Sequence, residues 1–140
     1  MTTLTTALKT VLNLNKVNTI LSRRFDNSLG GVSFNEFIIL YHISQSPDGK
    51  MRRIDLAEKI GLTASGVTRL LLPMEKTGLI KRGEAEHDAR VSYVLIATGG
   101  QRRLTEALER AEELTEELLP PDITFNSLTT LLIKLGGNIK

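Results

Sequence analysis

The stretch GLTASGVTRLLLPMEKTGLIKR, residues 61–82, decides how the chain is read. Gly61 permits a tight break after a preceding helix, and Thr63 is a good N-cap for a helix opening at Ala64. On that helix Val67, Leu70, Leu71 and Met74 recur at spacings of three and four, which defines an inward face. Ser65, Thr68, Arg69, Leu72 and Lys76 fall on the opposite side. Pro73 lacks the N–H that would bond the Arg69 carbonyl, at a cost of roughly 3 kcal/mol inside a helix. The expectation is a local irregularity, either a kink near residue 70 or a break with Pro73 opening a new turn.

Upstream, residues 4–28 read as an amphipathic helix through Leu4, Leu8, Val11, Leu14, Val17, Leu21 and Phe25, ended by Gly30 and Gly31. Ser33 and Glu36 have capping-box spacing and start a second helix whose expected inward face is Phe34, Phe37, Leu40, Tyr41 and Ser44. SPDG at 46–49 is a turn, and a short helix follows over 53–60 with the stripe Ile54, Ala57 and Ile60.

Downstream, Leu79 to Arg82 and Val91 to Ile96 read as strands joined by the polar loop GEAEHDA, a β-hairpin. Thr98 and Gln101 suggest another capping box, opening a helix to about residue 119 with the stripe Leu104, Leu108, Ala111, Leu114 and Leu118. Pro120 and Pro121 break it. A last helix over 125–135 carries Leu128, Leu131, Leu132 and Leu135. Helix, glycine turn, helix and hairpin, in that order, are the layout of a winged helix-turn-helix. The expected fold class is mainly α with a small β-hairpin wing.

Composition narrows the chemistry. The 140 residues include no cysteine and two histidines, His42 and His87. Disulfides, cysteine–zinc sites and thiol redox chemistry are thereby excluded, and no cofactor is expected. No apolar run approaches the ~18 residues of a membrane span, so a soluble, cytoplasmic protein with no membrane partner is expected. The net charge of +2 conceals a partition. Residues 50–103 hold eleven basic and six acidic groups, whereas residues 104–140 hold three basic and seven acidic ones. A basic centre with an acidic end suggests one part facing a polyanion and another facing something else.

In a helix-turn-helix the second helix enters the DNA major groove and its N-terminal residues reach base edges. The hydroxyls of Ser65 and Thr68 suit phosphate or base contacts, and Arg69 suits guanine O6 and N7. The helix N-terminus adds free N–H groups for phosphate. A solvated helix face of the same composition is the plain alternative. On the hairpin, Arg90 is placed to enter a narrow minor groove. Asp88 either fixes its direction or forms an exposed ion pair of little worth.

These elements together resemble the MarR family of winged-helix regulators. The resemblance rests on DLAEKIGLTASGVTRLLLPMEKTGLIKR at 55–82, DAR at 88–90 and VSYVLI at 91–96. It covers residues ~33–103 by motif and the flanking helices by placement only. It implies a dimeric transcription regulator, most often a repressor, that binds a palindromic operator in double-stranded DNA. A small, commonly phenolic, aromatic effector often releases such regulators. Carried across by position, Thr63, Ser65, Thr68 and Arg69 match the major-groove residues, and Asp88 and Arg90 match the wing pair. Arg52 stands where a Ser or Thr cap often opens the short helix. It is expected to contact phosphate with Arg53, and Lys76 joins the outward basic set. Gly66 replaces a residue that more often carries a hydroxyl. The absence of cysteine departs from the peroxide-sensing branch.

The resemblance also implies a division of the chain. Residues 1–32 form an N-terminal dimerisation helix, 33–98 a DNA-binding lobe and 99–140 C-terminal dimerisation helices, all in one intertwined domain. A ligand pocket is expected where the long helices meet the lobe, from Leu14, Val17, Leu21, Phe37, Tyr41, His42 and Leu108. The same residues also suit a plain core. The competing function is a winged-helix interaction module, or a regulator without a small-molecule effector. An enzyme is not expected, because no nucleophile–base pair or glycine-rich phosphate loop is legible.

Overall fold

The computed structural model describes residues 3–83, 92–121 and 124–139. Six helices and three short strands follow in the order α1 (Thr6–Asp26), α2 (Phe34–Ser44), β1 (Lys50–Arg52), α3 (Arg53–Ile60), α4 (Ala64–Lys76), β2 (Ile80–Arg82), β3 (Tyr93–Ile96), α5 (Thr98–Leu118) and α6 (Asn126–Lys134). The fold is mainly helical with a small antiparallel sheet.

That sheet has three strands, in the order β1-β3-β2. The hairpin pattern in the sequence predicts only the partners β2 and β3. Lys50–Arg52 pairs with the other edge of β3, with Met51 opposite Val94. Three residues are too few for an alternating pattern to stand out, and for that reason β1 is illegible in the sequence.

The core lies where α2, α3, α4, α5 and the sheet meet. Ile39, Leu40 and Ile43 of α2, Leu56 of α3, Val67, Leu71 and Met74 of α4, Val94 of β3 and Leu104 of α5 are buried together. Each full burial of this kind contributes about 1.5–3 kcal/mol. Ser33 caps α2 as expected: its Oγ accepts from Glu36 N at 3.1 Å, while Glu36 Oε1 accepts from Ser33 N at 2.8 Å. The inward face of α2 is rotated from the expected one. Leu40 is buried, but Phe34, Phe37, Tyr41 and Ser44 are only half-buried.

Four further expectations are corrected. α1 ends at Asp26, before Gly30, because the chain turns to bury Leu29 completely, and Asp26 Oδ1 accepts from Phe34 N at 2.7 Å. Ile54 does not belong to the inward stripe of α3; it is 66% exposed, and Leu56 takes its place beside Ala57. On α5, Ala107 is buried where Leu108 was expected, giving Gly100, Leu104, Ala107, Ala111 and Leu114 as the packed face. The expected Thr98–Gln101 capping box does not form. Ala97 is the N-cap because its N–H is held by the Leu79 carbonyl at 3.0 Å, which sets the start of α5 against the sheet.

The ends of the chain differ from the middle. Phe25 is the one residue of α1 that is buried, stacked on Phe34 with ring centroids 4.6 Å apart. Leu8, Val11, Leu12, Val17 and Ile20 face outward. α6 buries no residue, and Leu128, Leu131, Leu132 and Leu135 are exposed. Among the described residues, no helix is long and apolar enough to cross a membrane.

Candidate nucleic-acid interface

The turn into α4 is built as the sequence suggests. Gly61 closes α3 in the left-handed region, at φ 75° and ψ 28°, where a side chain would be strained. Thr63 then caps α4, its Oγ1 accepting from Gly66 N at 3.1 Å. A Cβ on Gly66 would sit 3.2 Å from that same oxygen, so glycine here leaves room for the cap.

Val67, Leu71 and Met74 anchor α4 while Leu70 packs partly against the core. The opposite face presents Ser65, Arg69, Leu72 and Lys76 to solvent. Arg69 and Lys76 have no ion pair or hydrogen bond among the described residues, and both are exposed. The two threonines are more engaged than expected. Thr68 Oγ1 donates to the Ala64 carbonyl at 3.0 Å and accepts from Arg53 Nη1 at 3.4 Å. Thr63 Oγ1 lies 3.2 Å from Ser65 Oγ besides serving as the cap. A hydroxyl carries one proton and two lone pairs. Thr68 therefore retains one lone pair and its methyl group for an outside partner.

α4 runs without interruption through Pro73, so the expected break with a new turn at that residue is not formed. Pro73 lies on the exposed side, where its ring meets solvent and the unpaired Arg69 carbonyl can be hydrated. Buried Leu71 and Met74 hold the turns on either side. Thr77 reinforces the end, its N and Oγ1 both donating to the Pro73 carbonyl at 3.0 Å.

Arg52 and Arg53 diverge. Arg52 provides no side-chain cap; its Nε and Nη2 grip the Asp55 carboxylate at 2.8 and 3.2 Å. That hydrogen bond and the Asp55 charge raise the guanidinium pKa further above its ordinary value. Arg53 points the other way, beneath Thr68. Its Nε is buried without a partner among the described residues, and its backbone N–H donates to the Ser92 carbonyl at 3.1 Å. Ser92 lies two residues beyond Arg90, so the start of α3, the middle of α4 and the returning edge of the wing meet at Arg53. Arg90 and Asp88 themselves, with His87, lie outside the described residues. The Arg82–Glu75 pair, at 3.3 Å, was not legible as a contact seven residues apart.

The seven residues expected to form one pocket are not assembled into one. Phe37, Tyr41 and Leu108 line a cavity of 350 Å³ together with Phe25, Phe34 and Ala111. His42 lines a separate cavity that shares Tyr41 with the first. Leu14, Val17 and Leu21 line neither. Most of α1 stands clear of the core, and Val17 is exposed.

An α3–turn–α4 unit backed by a small sheet, with a polar and cationic outward face, defines the class: a winged helix-turn-helix protein. Residues 30–91 match the family model of the MarR family. Over 112 residues it is 28% identical to the uncharacterized HTH-type transcriptional regulator YdgJ of Bacillus subtilis, covering 76% of this chain and 63% of that protein. The chain thus spans less than two thirds of that relative's length. Among solved structures, the Mycobacterium tuberculosis regulator MOSR in complex with DNA matches with a TM-score of 0.79 at 23% identity, over 90% of this chain and 92% of that one. The organohalide-sensing regulator RdhR bound to 2,4-dichlorophenol matches with a TM-score of 0.81 at 22% identity, over 95% and 80%. At these identities the two structures show a shared fold.

Proposed function

We propose that the protein is a cytoplasmic, sequence-specific DNA-binding transcription regulator, acting as a homodimeric repressor at a palindromic operator. The observation that carries this is the outward face of α4. Arg69 stands exposed and unpaired among the described residues, next to Ser65 and Thr68 and clear of the packed Val67–Leu71–Met74 side. In this reading Arg69 and Ser65 contact base edges, with the Thr63 and Thr68 methyl groups offering apolar contact to thymine. Arg52, Arg53 and Lys76 serve phosphates, and the wing pair Asp88 and Arg90 addresses the minor groove.

The dimer is supported by the unburied apolar residues of α1 and α6, since exposed apolar faces of this kind mark association sites. A two-fold dimer presents two α4 helices and so calls for an inverted repeat with half-sites about 34 Å apart. The domain division at 1–32, 33–98 and 99–140 is part of the same proposal. A small aromatic effector is the further clause, supported by the phenylalanine-lined cavity between α2 and α5.

Selection of bound DNA from a random pool by the whole chain tests the reading. Recovery of an inverted repeat with that spacing is the expected result; recovery of no enriched sequence would contradict it. Light scattering at micromolar protein should give a dimer mass, and a monomer mass would overturn the dimeric arrangement.

A further inference from the structure

Thr68 is half-buried on α4, and its hydroxyl is engaged on two sides. Oγ1 donates to the Ala64 carbonyl at 3.0 Å and accepts from Arg53 Nη1 at 3.4 Å. A hydroxyl offers one proton and two lone pairs. The cationic N–H of Arg53 takes one lone pair, so the proton cannot point that way. Turning the proton outward would set a lone pair against the Ala64 carbonyl oxygen. The proton therefore stays on Ala64, and accepting from a cation strengthens that bond. Thr68 keeps one lone pair and its methyl group for an outside partner, and no proton to donate.

The stability of the lobe does not explain Arg53. It is the first residue of α3, and its backbone N–H donates to the Ser92 carbonyl at 3.1 Å, which fixes the base of the side chain. Its Nε is buried and has no partner among the described residues. A buried donor left unsatisfied costs free energy, so packing alone would favour an apolar side chain here. The one side-chain bond that the guanidinium makes among the described residues is to Thr68.

We propose that Arg53 is a positioning residue that commits Thr68 to accept, and that Thr68 thereby selects an A·T pair. This rests on the reading of α4 as the DNA-facing helix. In the major groove adenine presents its N6 amine as a donor where guanine presents the O6 acceptor, and thymine alone carries a C5 methyl group. One acceptor beside one methyl group is the complement of an A·T pair: the lone pair takes adenine N6–H and the methyl meets thymine. At guanine, O6 would face the Thr68 lone pair, acceptor against acceptor. A threonine free to turn its proton would tolerate either purine, as hydroxyls generally do. Arg53 removes that tolerance by acting through Thr68.

The test uses the whole chain and the operator that it selects from a random pool, with affinity read by fluorescence anisotropy at fixed salt. Thr68→Val locates the base pair, as the one where preference falls most. The expected pair is A·T, with guanine in place of adenine weakening the parent protein by about tenfold. A purine lacking the N6 amine, in place of that adenine, should weaken the parent by about threefold or more and leave Thr68→Val unchanged. Arg53→Met should bring adenine and guanine within about threefold of each other at that pair alone. In the Thr68→Val background it should change no preference further. Arg53→Met also removes the unsatisfied Nε, so its thermal midpoint should not fall; Arg53→Ala takes its place if the methionine variant does not fold. An equal loss of affinity for all sequences, with the adenine preference intact, would mean that Arg53 meets only phosphate and would overturn the proposal. A G·C pair opposite Thr68, no pair sensitive to Thr68→Val, or an Arg53→Met effect on preference that persists in Thr68→Val would overturn it too. Failure to enrich any operator is a different outcome, which removes the regulator reading and this inference together.

Discussion

Arg53 Nη1 donates to Thr68 Oγ1 at 3.4 Å, joining the first residue of α3 to the middle of the outward face of α4. The same arginine holds the Ser92 carbonyl through its backbone N–H at 3.1 Å. Thr68→Val keeps the shape of the side chain but leaves Arg53 without that acceptor in a half-buried site. The expected cost is about 1 kcal/mol in chemical denaturation, with Thr68→Ser closer to the parent protein. A Thr68→Val protein as stable as the parent would show that the contact carries no weight.

Gly100 lies in the first turn of α5 against the Leu79 carbonyl, which occupies the space a Cβ would need. That carbonyl is already fixed by the Ala97 N–H, so it cannot retreat freely. Gly100→Ala should lower stability by about 1–3 kcal/mol in urea, as overpacking does. Gly99 is the comparison, since its Cβ would meet the Gly78 carbonyl at 3.2 Å, a tight contact that a shift of a few tenths of an ångström relieves, so its cost should be smaller. Equal effects at the two positions would contradict this packing.

Pro73 is exposed within a continuous helix. Alanine there restores the N–H that bonds the Arg69 carbonyl and relieves the ring's clash with the preceding turn. Part of that gain is offset by the greater freedom of the unfolded chain, about 0.4–1 kcal/mol. Pro73→Ala should therefore raise the thermal midpoint, read by calorimetry. A lowered midpoint would mean that the proline is needed where it stands.

His42 titrates below its ordinary value of 6.5 because it is buried and faces Lys59. A base whose folded pKa is depressed binds fewer protons folded than unfolded in the window below 6.5. Stability is then free of the penalty above that pH and declines as pH falls through the window, levelling off once the folded form is protonated too. Thermal midpoints measured from pH 7.5 down to 5 should fall in the parent and fall less in His42→Gln. Parallel curves for the two proteins would remove His42 as the source.

How far the fold was legible depends on how each element announces itself. Thr63, Gly61 and the Ser33–Glu36 box are local backbone solutions, and local chemistry alone specifies them. The face of α4 was legible because three large apolar residues, Val67, Leu71 and Met74, outweigh everything opposite them. α5 was harder. Ala107 and Leu108 are adjacent, spacings of three and four are both helical, and the larger residue drew the assignment although the smaller one fits the tight contact. β1 and the exposed Ile54 are decided by tertiary neighbours that no short window contains. The cavity beside His42 joins residues from positions 41 to 139, which only the folded chain brings together. The Arg53–Thr68 contact, fifteen residues apart in the chain, was invisible for the same reason.

The outward face of α4 is the proposed DNA-reading surface. It is tested most directly by fluorescence anisotropy on the selected operator at fixed salt, comparing the parent protein with Arg69→Ala. Arg69 is exposed and unpaired among the described residues, so its removal should leave the thermal midpoint unchanged. A loss of at least about tenfold in affinity is expected, the size of one bidentate base contact, with relaxed preference at a guanine. Undiminished affinity and unchanged sequence preference in a folded Arg69→Ala protein would contradict it.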